Sequence, residues 1–293
     1  MSSSSLPPLL EHSRALNHLA FRPDGTRLAV GDTAMGVEVR EGEHVVWQRS
    51  LATPDQKSAP LQRIRGLEFS PDGLILYALA TDALYAFDAE SGQDLWCYRP
   101  PRAFGFLVVS PSSLAVRRDG LVAAAFDNGA IGVWSSDGHC QGLWRDIDVQ
   151  RHLVFLRDGN LLGDDSFGLS VFDVETGHRL YRTPLRDRAF GLALAPDGNV
   201  AVRTLHETWQ MNPTGHVFAR TTVEPGLPLV EYSPCEPVLA LGAAHSVTLV
   251  STDGKVRNRI EVEDTTVISM AFAPDGSLSI GGADGSLRRF DLD

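Results

Sequence analysis

Residues 66–96 read GLEFSPDGLILYALATDALYAFDAESGQDLW, four short segments with turn signals between them. Leu67-Glu68-Phe69 alternates apolar, polar, apolar, the pattern of a half-buried strand. Ser70-Pro71-Asp72-Gly73 is a tight turn: Pro presets φ, Asp bonds its own backbone, and Gly accepts a positive φ. Residues 74–80 are an apolar run too short for a helix and bounded by turns, hence a buried strand. Thr81-Asp82 turns the chain, Leu84-Tyr85-Ala86-Phe87 is a third strand, and a Ser91-Gly92 turn precedes a fourth at Asp94-Leu95-Trp96. These are strands a, b, c and d, counted from the innermost outwards.

The unit recurs. Aligned on the turn after strand a, its copies have reference positions Pro23, Pro71, Arg118, Arg157, Pro196, Pro234 and Pro274, spaced by 48, 47, 39, 39, 38 and 40 residues. A period of roughly 40–45 residues is that of a four-stranded propeller blade. Asp-Gly follows the reference position in every copy except that of Pro234, where Cys235-Glu236 stands instead. Four residues before it lie Leu19, Leu67, Leu114, Leu153, Leu192, Val230 and Met270; two before lie Phe21, Phe69, Val116, Phe155, Leu194, Tyr232 and Phe272. Both columns are wholly apolar, as one packed face of strand a requires. The fold expected is all-β, a seven-bladed β-propeller of four-stranded antiparallel blades, spanning residues 1–293 as one domain.

The last copy stops after strand c, at Leu287-Arg288-Arg289-Phe290-Asp291, and leaves an edge whose backbone groups need a partner. Residues 6–14, with Leu9 and Leu10 facing inward, are expected to supply that strand and close the ring, and residues 1–5 to be disordered. Two long connections, residues 50–63 and 100–113, join strand d to the next strand a and emerge on one face. Long loops in compact domains are often functional. The apolar run Phe104-Gly105-Phe106-Leu107-Val108-Val109 inside the second either contributes to such a surface or lengthens the next strand a.

Composition narrows the function. Of 293 residues 43% are hydrophobic, and the net charge is −11. That charge speaks against a duplex nucleic-acid binder, and no apolar run reaches the roughly 20 residues of a membrane helix. The opening MSSSSLPPLLEHSR has no secretory pattern. Cys97, Cys140 and Cys235 fall in three different copies with no metal-type spacing, which suggests reduced thiols. A cytoplasmic monomer is expected. Lys57 and Lys255 are the only lysines among 26 basic residues, a bias that a GC-rich bacterial genome explains as readily as a binding role.

Phe87-Asp88, Phe172-Asp173 and Phe290-Asp291 occupy the place of the Trp-Asp dipeptide of WD-repeat propellers, and Trp134-Ser135 is a near match. The chain resembles a divergent seven-bladed WD-repeat protein over essentially its whole length. Residues 85–96 are also similar to repeats of quinoprotein-type propellers. The WD-repeat resemblance implies that Asp32, Asp82, Asp127, Asp165 and Asp284 are the structural aspartates of the b–c turns, although no Gly-His dipeptide opens the repeats. It also implies a non-enzymatic scaffold for a protein partner.

Three sets of residues are candidates for function. An arginine recurs at the end of strand d: Arg14, Arg49, Arg99, Arg145, Arg182, Arg220 and Arg259. Such a series can grip carboxylate or phosphate groups of an acidic partner through forked hydrogen bonds; alternatively each pairs with a nearby carboxylate, such as the b–c turn aspartate. The expected patch joins Arg63, Arg65, Arg99 and Arg102 to the anchors Phe104 and Phe106, with Arg145 and Arg182 beyond, since arginine and aromatic residues make interface hot spots. Charge reversal at Arg99, Arg145 and Arg182 together is expected to weaken partner capture and leave the fold intact.

The second set lies between the two apolar columns, where Ala20, Glu68, Ala115, Val154, Ala193, Glu231 and Ala271 stand. Glu68 and Glu231 are either a metal- or water-activating pair of a lactonase-like hydrolase or a small-ligand sensor, or simply bonded to a neighbouring arginine or backbone N–H. The third set, His206, Glu207 and His245, sits in b–c turns but matches no standard metal spacing. No motif for a cofactor or a nucleophile is present, so neither is expected.

Overall fold

Among the described residues, alternating apolar residues and Asp-Gly turns fold into 28 short strands in seven four-stranded antiparallel sheets. The computed structural model describes residues 10–11, 14–52, 63–100, 110–145, 151–165, 167–224 and 227–292. The first sheet consists of Leu16–Phe21, Leu28–Asp32, Gly36–Glu41 and His44–Ser50; the second of Ile64–Phe69, Ile75–Ala80, Leu84–Asp88 and Asp94–Tyr98. The third is Pro111–Val116, Val122–Phe126, Ala130–Trp134 and Cys140–Arg145; the fourth Leu153–Phe155, Leu161–Asp165, Gly168–Phe172 and Arg179–Pro184. The fifth is Gly191–Leu194, Val200–Arg203, Glu207–Met211 and Val217–Thr222; the sixth Val230–Tyr232, Val238–Gly242, Ser246–Ser251 and Val256–Glu261. In the seventh, Val267–Phe272, Leu278–Gly282 and Ser286–Phe290 are joined by Leu10–Glu11. These sheets are the blades of a seven-bladed β-propeller.

The pairing Leu10↔Leu287 and Glu11↔Ser286 puts the N-terminal strand on the open edge of the last blade, inside the span expected for it. Residues 6–9 and 12–13, with the expected orientation of Leu9 and Leu10, lie outside what the structure describes. Among the described residues no helix is long and apolar enough to cross a membrane.

The chain divides into two compact units, Ala20–Pro184 and Met1–Leu19 with Leu185–Asp293. In each, the core lies between neighbouring sheets. In the first, Val37, Val39 and Trp47 pack on Leu76, Tyr85 and Phe87; Tyr77 and Leu79 pack on Phe126 and Trp134; Ile131 and Val133 pack on Leu153 and Phe172. In the second, Ala193 and Ala201 meet Leu239 and Val250, and Val247 and Leu249 meet Met270 and Phe272. A strand buried on both faces favours apolar side chains throughout, which is why Ile75–Ala80, Val122–Phe126 and Ala130–Trp134 read as continuous apolar runs.

A second contact runs along the outer strands of the Ala20–Pro184 unit. Gly92, in the c–d turn of the second sheet, has φ +69°, and a methyl group there would come 2.6 Å from Cδ2 of Trp47 in strand d of the first. The Trp47 indole is fixed because its Nε1 donates to the Ala89 carbonyl at 3.0 Å. The arrangement repeats one sheet on: Trp96 lies on Gly138 and its Nε1 donates to the Ser136 carbonyl at 2.8 Å. It repeats again with Trp144 on Gly177, whose φ is +71°. Each indole thus rests on the bare turn of the next sheet.

Candidate functional site

The b–c turns fix the aspartates and the aspartates fix their surroundings. Asp32 Oδ1 accepts from the backbone N–H groups of Ala34 and Gly36, both at 2.7 Å, so it closes its own turn. Asp127 Oδ1 accepts from the Ser110 N–H at 3.1 Å and ties down the start of the third sheet. Asp284 accepts from Ser286 N–H and Oγ and from Thr265 Oγ1. These contacts are the structural role that the resemblance implies for those positions.

The strand-d arginines divide. Arg99 lies over the Tyr85 ring with 5.4 Å from Cζ to the centroid, its Nη2 donates to the Tyr85 hydroxyl at 2.9 Å, and its Nε is 3.6 Å from Asp82. Tyr85 in turn donates to Asp82 Oδ2 at 3.4 Å. Burial first, and the Asp82 charge second, push the Tyr85 phenol up to about 12, so the hydroxyl keeps its proton at neutral pH. The Arg99 side chain remains 55% exposed, while that of Asp82 is 8% exposed. A guanidinium held from behind and open in front is preorganised for a further acceptor.

Arg182 is engaged more fully. Its Nε and Nη2 donate to the two Asp165 oxygens at 2.6 and 2.8 Å. Burial raises the Asp165 pKa, but the Arg182 bonds, the Phe167 N–H and the Arg182 charge outweigh it and hold the carboxyl below its usual value. Charge reversal at Arg182 would leave a buried carboxylate facing a second one, so the fold would not be left intact as the sequence suggested. Arg49 turns to the second sheet, where it donates to the Gly92 carbonyl at 2.6 Å and to Asp94 at 3.1 Å. Arg259 pairs with Glu224 and Glu261, and Arg220 lies over Trp209. Arg145 is exposed and has no side-chain partner among the described residues.

Of the other arginines expected in the patch, Arg63 is exposed and its backbone is tied to the Thr81 hydroxyl. Arg65 is half-buried, and burial followed by the Arg63 charge lowers its pKa against the pull of Asp127. Arg102, Phe104 and Phe106 lie outside the described residues. What the sequence did not offer was Tyr85, which reads there as one more core aromatic; its position three residues after a b–c turn aspartate is the only local signal.

The strand-a glutamates are each held within their own unit. Glu231 accepts from the Phe272 N–H at 3.2 Å, and burial pushes its carboxyl up to about 8 against that bond. The residue as a whole is half-buried. Glu68 is half-buried and lies near the Tyr77 phenol, which burial, Asp72 and then Glu68 itself push up. In the third candidate set Glu207 accepts from Trp209 Nε1 at 2.7 Å and His245 Nδ1 is 2.9 Å from the Thr265 carbonyl, while His206 is exposed. Among the described residues no three His, Cys, Asp or Glu side chains are placed to hold a metal. The three cysteines are free and exposed.

Residues 254–291 match the family model described as WD domain, G-beta repeat. The match runs through strand d of the sixth sheet and strands a to c of the seventh, and ends on Phe290-Asp291. Together with the seven four-stranded sheets, this match supports a WD-repeat propeller. No curated protein matches it. WD-repeat propellers commonly serve as interaction scaffolds and are generally not enzymes; here the exposed Arg63, Arg99 and Arg145 belong to the Ala20–Pro184 unit.

Proposed function

We propose that the protein is a non-enzymatic scaffold that captures an acidic protein partner, as a cytoplasmic monomer in a bacterial-type cell. The partner surface is formed by Arg63, Arg65, Arg99 and Arg145, with Arg182 setting its border and Arg102, Phe104 and Phe106 supplying the rest. The observation that carries this reading is Arg99: Tyr85 and Asp82 hold it in position while its side chain stays 55% exposed. Such a cation has little freedom left to lose when a carboxylate arrives. The test is affinity capture from the host extract with wild-type protein and with Arg63→Glu, Arg99→Glu and Arg145→Glu combined. Arg182 is left in place because Asp165 depends on it. Capture should fall at least about ten-fold, or roughly 1.4 kcal/mol, with unchanged circular dichroism; equal capture would sink the reading. Capture should also weaken as salt rises, since exposed charges are screened beyond about 10 Å at 0.1 M.

A second reading rests on Glu231. A carboxyl whose pKa is raised to about 8 by burial can donate a proton at neutral pH, as a hydrolase or lactonase acid must. Glu68 stands at the equivalent strand position of the second sheet and is the matching candidate, within its own unit, for such work or for a small ligand. In this case lactones or divalent ions should raise the melting temperature of the wild type and not that of Glu68→Ala or Glu231→Gln.

A further inference from the structure

Three arginines among the described residues are buried: Arg40, Arg203 and Arg288. Arg40 pairs with Glu38, and Arg288 Nη2 donates to Asp264 at 3.3 Å. Arg203, at 1% exposure the most enclosed, pairs with no carboxylate among the described residues. Its Nη2 donates to the Glu224 carbonyl at 3.1 Å, while Nε and Nη1 have no hydrogen-bond partner. A buried guanidinium normally spends every N–H on an acceptor and sits beside a countercharge.

The residue opposite completes the picture. Arg203 on strand b is in register with Thr208 on strand c, which is also 1% exposed and whose Oγ1 likewise has no partner. Directly paired residues project to the same side of a sheet, so both unused groups lie on one side. That side is closed off by the sixth sheet. A methyl group on Gly191, the register partner of Arg203 on strand a, would come 2.6 Å from the Pro228 carbonyl and 3.0 Å from Val230 Cγ1. Ala201, two residues before Arg203 and on the same side, packs with Leu241 and Val250. All these residues belong to the unit that includes Leu185–Asp293.

The unused groups lean to one side: Nε–H and the N–H groups of Nη1 can only donate, the hydroxyl can turn its proton toward the same point, and an acceptor carrying negative charge is missing. Burial lowers the Arg203 pKa to about 10, so the group still carries its charge at neutral pH. A water molecule would satisfy some donors without balancing that charge. We propose that Arg203 and Thr208 form an internal site for one small monovalent anion of the halide class, enclosed between the fifth and sixth sheets.

The test uses the full chain. Crystals soaked in sodium bromide should show an anomalous peak within hydrogen-bonding reach of Arg203 Nε and Nη1 and of Thr208 Oγ1. In solution, replacing gluconate by chloride at constant ionic strength should raise the melting temperature saturably, by roughly 3 °C once chloride exceeds its dissociation constant about ten-fold. Arg203→Met should lose that response, and Thr208→Val should need more chloride to reach it. The absence of a bromide peak would overturn the proposal, as would an Arg203→Met variant that responds to chloride like the wild type. Should Arg203→Met fail to fold, the bromide map and Thr208→Val decide.

Discussion

Replacing Gly92 by valine is expected to lower the melting temperature by roughly 6–12 °C, corresponding to about 3 kcal/mol at 2–4 °C per kcal/mol for a protein of this size class. Two effects add. At φ +69° a side chain with Cβ meets the following carbonyl, which costs about 1–2 kcal/mol and more for a β-branched residue. The new Cβ would also lie 2.6 Å from the Trp47 indole, well inside contact distance. The indole cannot simply swing away, because its Nε1 is bonded to the Ala89 carbonyl and its ring packs against Phe87 with centroids 5.9 Å apart. Thermal denaturation followed by circular dichroism measures the change. The double variant Gly92→Val with Trp47→Ala separates the two effects: relief of the clash should make the combined loss smaller than the sum of the single losses. Additive losses would mean that the indole and the turn act independently.

Glu231→Gln should abolish a fall in stability between pH 5 and pH 8. The native carboxyl is pushed up to about 8, whereas the unfolded one has its ordinary value near 4.5. Below pH 4.5 both states hold the proton and nothing is lost. Between the two values the unfolded chain releases a proton that the native state retains, so each rise in pH favours unfolding. The stability present at low pH is therefore lost as pH rises through about 8. One pKa unit corresponds to about 1.4 kcal/mol, and half of the indicated shift already gives about 2 kcal/mol. Glutamine keeps an oxygen for the Phe272 N–H and carries no charge. Urea denaturation at pH 5, 6, 7 and 8 should show the variant gaining about 2 kcal/mol on the wild type across the series. Parallel curves for the two proteins would show that the carboxyl is ionised at no energetic disadvantage.

The strands could be read from residues 66–96 because each ends on a residue with a local reason to turn. Pro71-Asp72-Gly73 separates Ile64–Phe69 from Ile75–Ala80, and Ser91-Gly92 precedes Asp94–Tyr98. The aspartates of the b–c turns were legible on the same grounds where they bond backbone a few residues away, as with Asp32 and Gly36, but not where the bond reaches a distant residue, as with Asp127 and Ser110. The partner of each arginine was less so. Arg182 finds Asp165 across the sheet, but Arg49 finds Asp94 on the next sheet, and both arginines occupy the same place in the repeat. The rest of the site depends on contacts between repeats. Gly92 announces a turn, and nothing nearby in the sequence says that an indole one repeat earlier lies on it. Arg203 ends strand b where other repeats carry Gly31, Leu79 or Ala125, and whether a buried arginine has an acceptor depends on what the neighbouring sheet presents.

The indoles that rest on bare turns also bias how unfolding looks in a fluorimeter. Of five tryptophans, Trp47, Trp96, Trp134 and Trp144 belong to the Ala20–Pro184 unit and only Trp209 to the other. Emission therefore reports chiefly on the first four sheets, while far-ultraviolet dichroism weighs all seven. A gap between the two melting curves would be the optical sign that one half of the polypeptide loosens before the other.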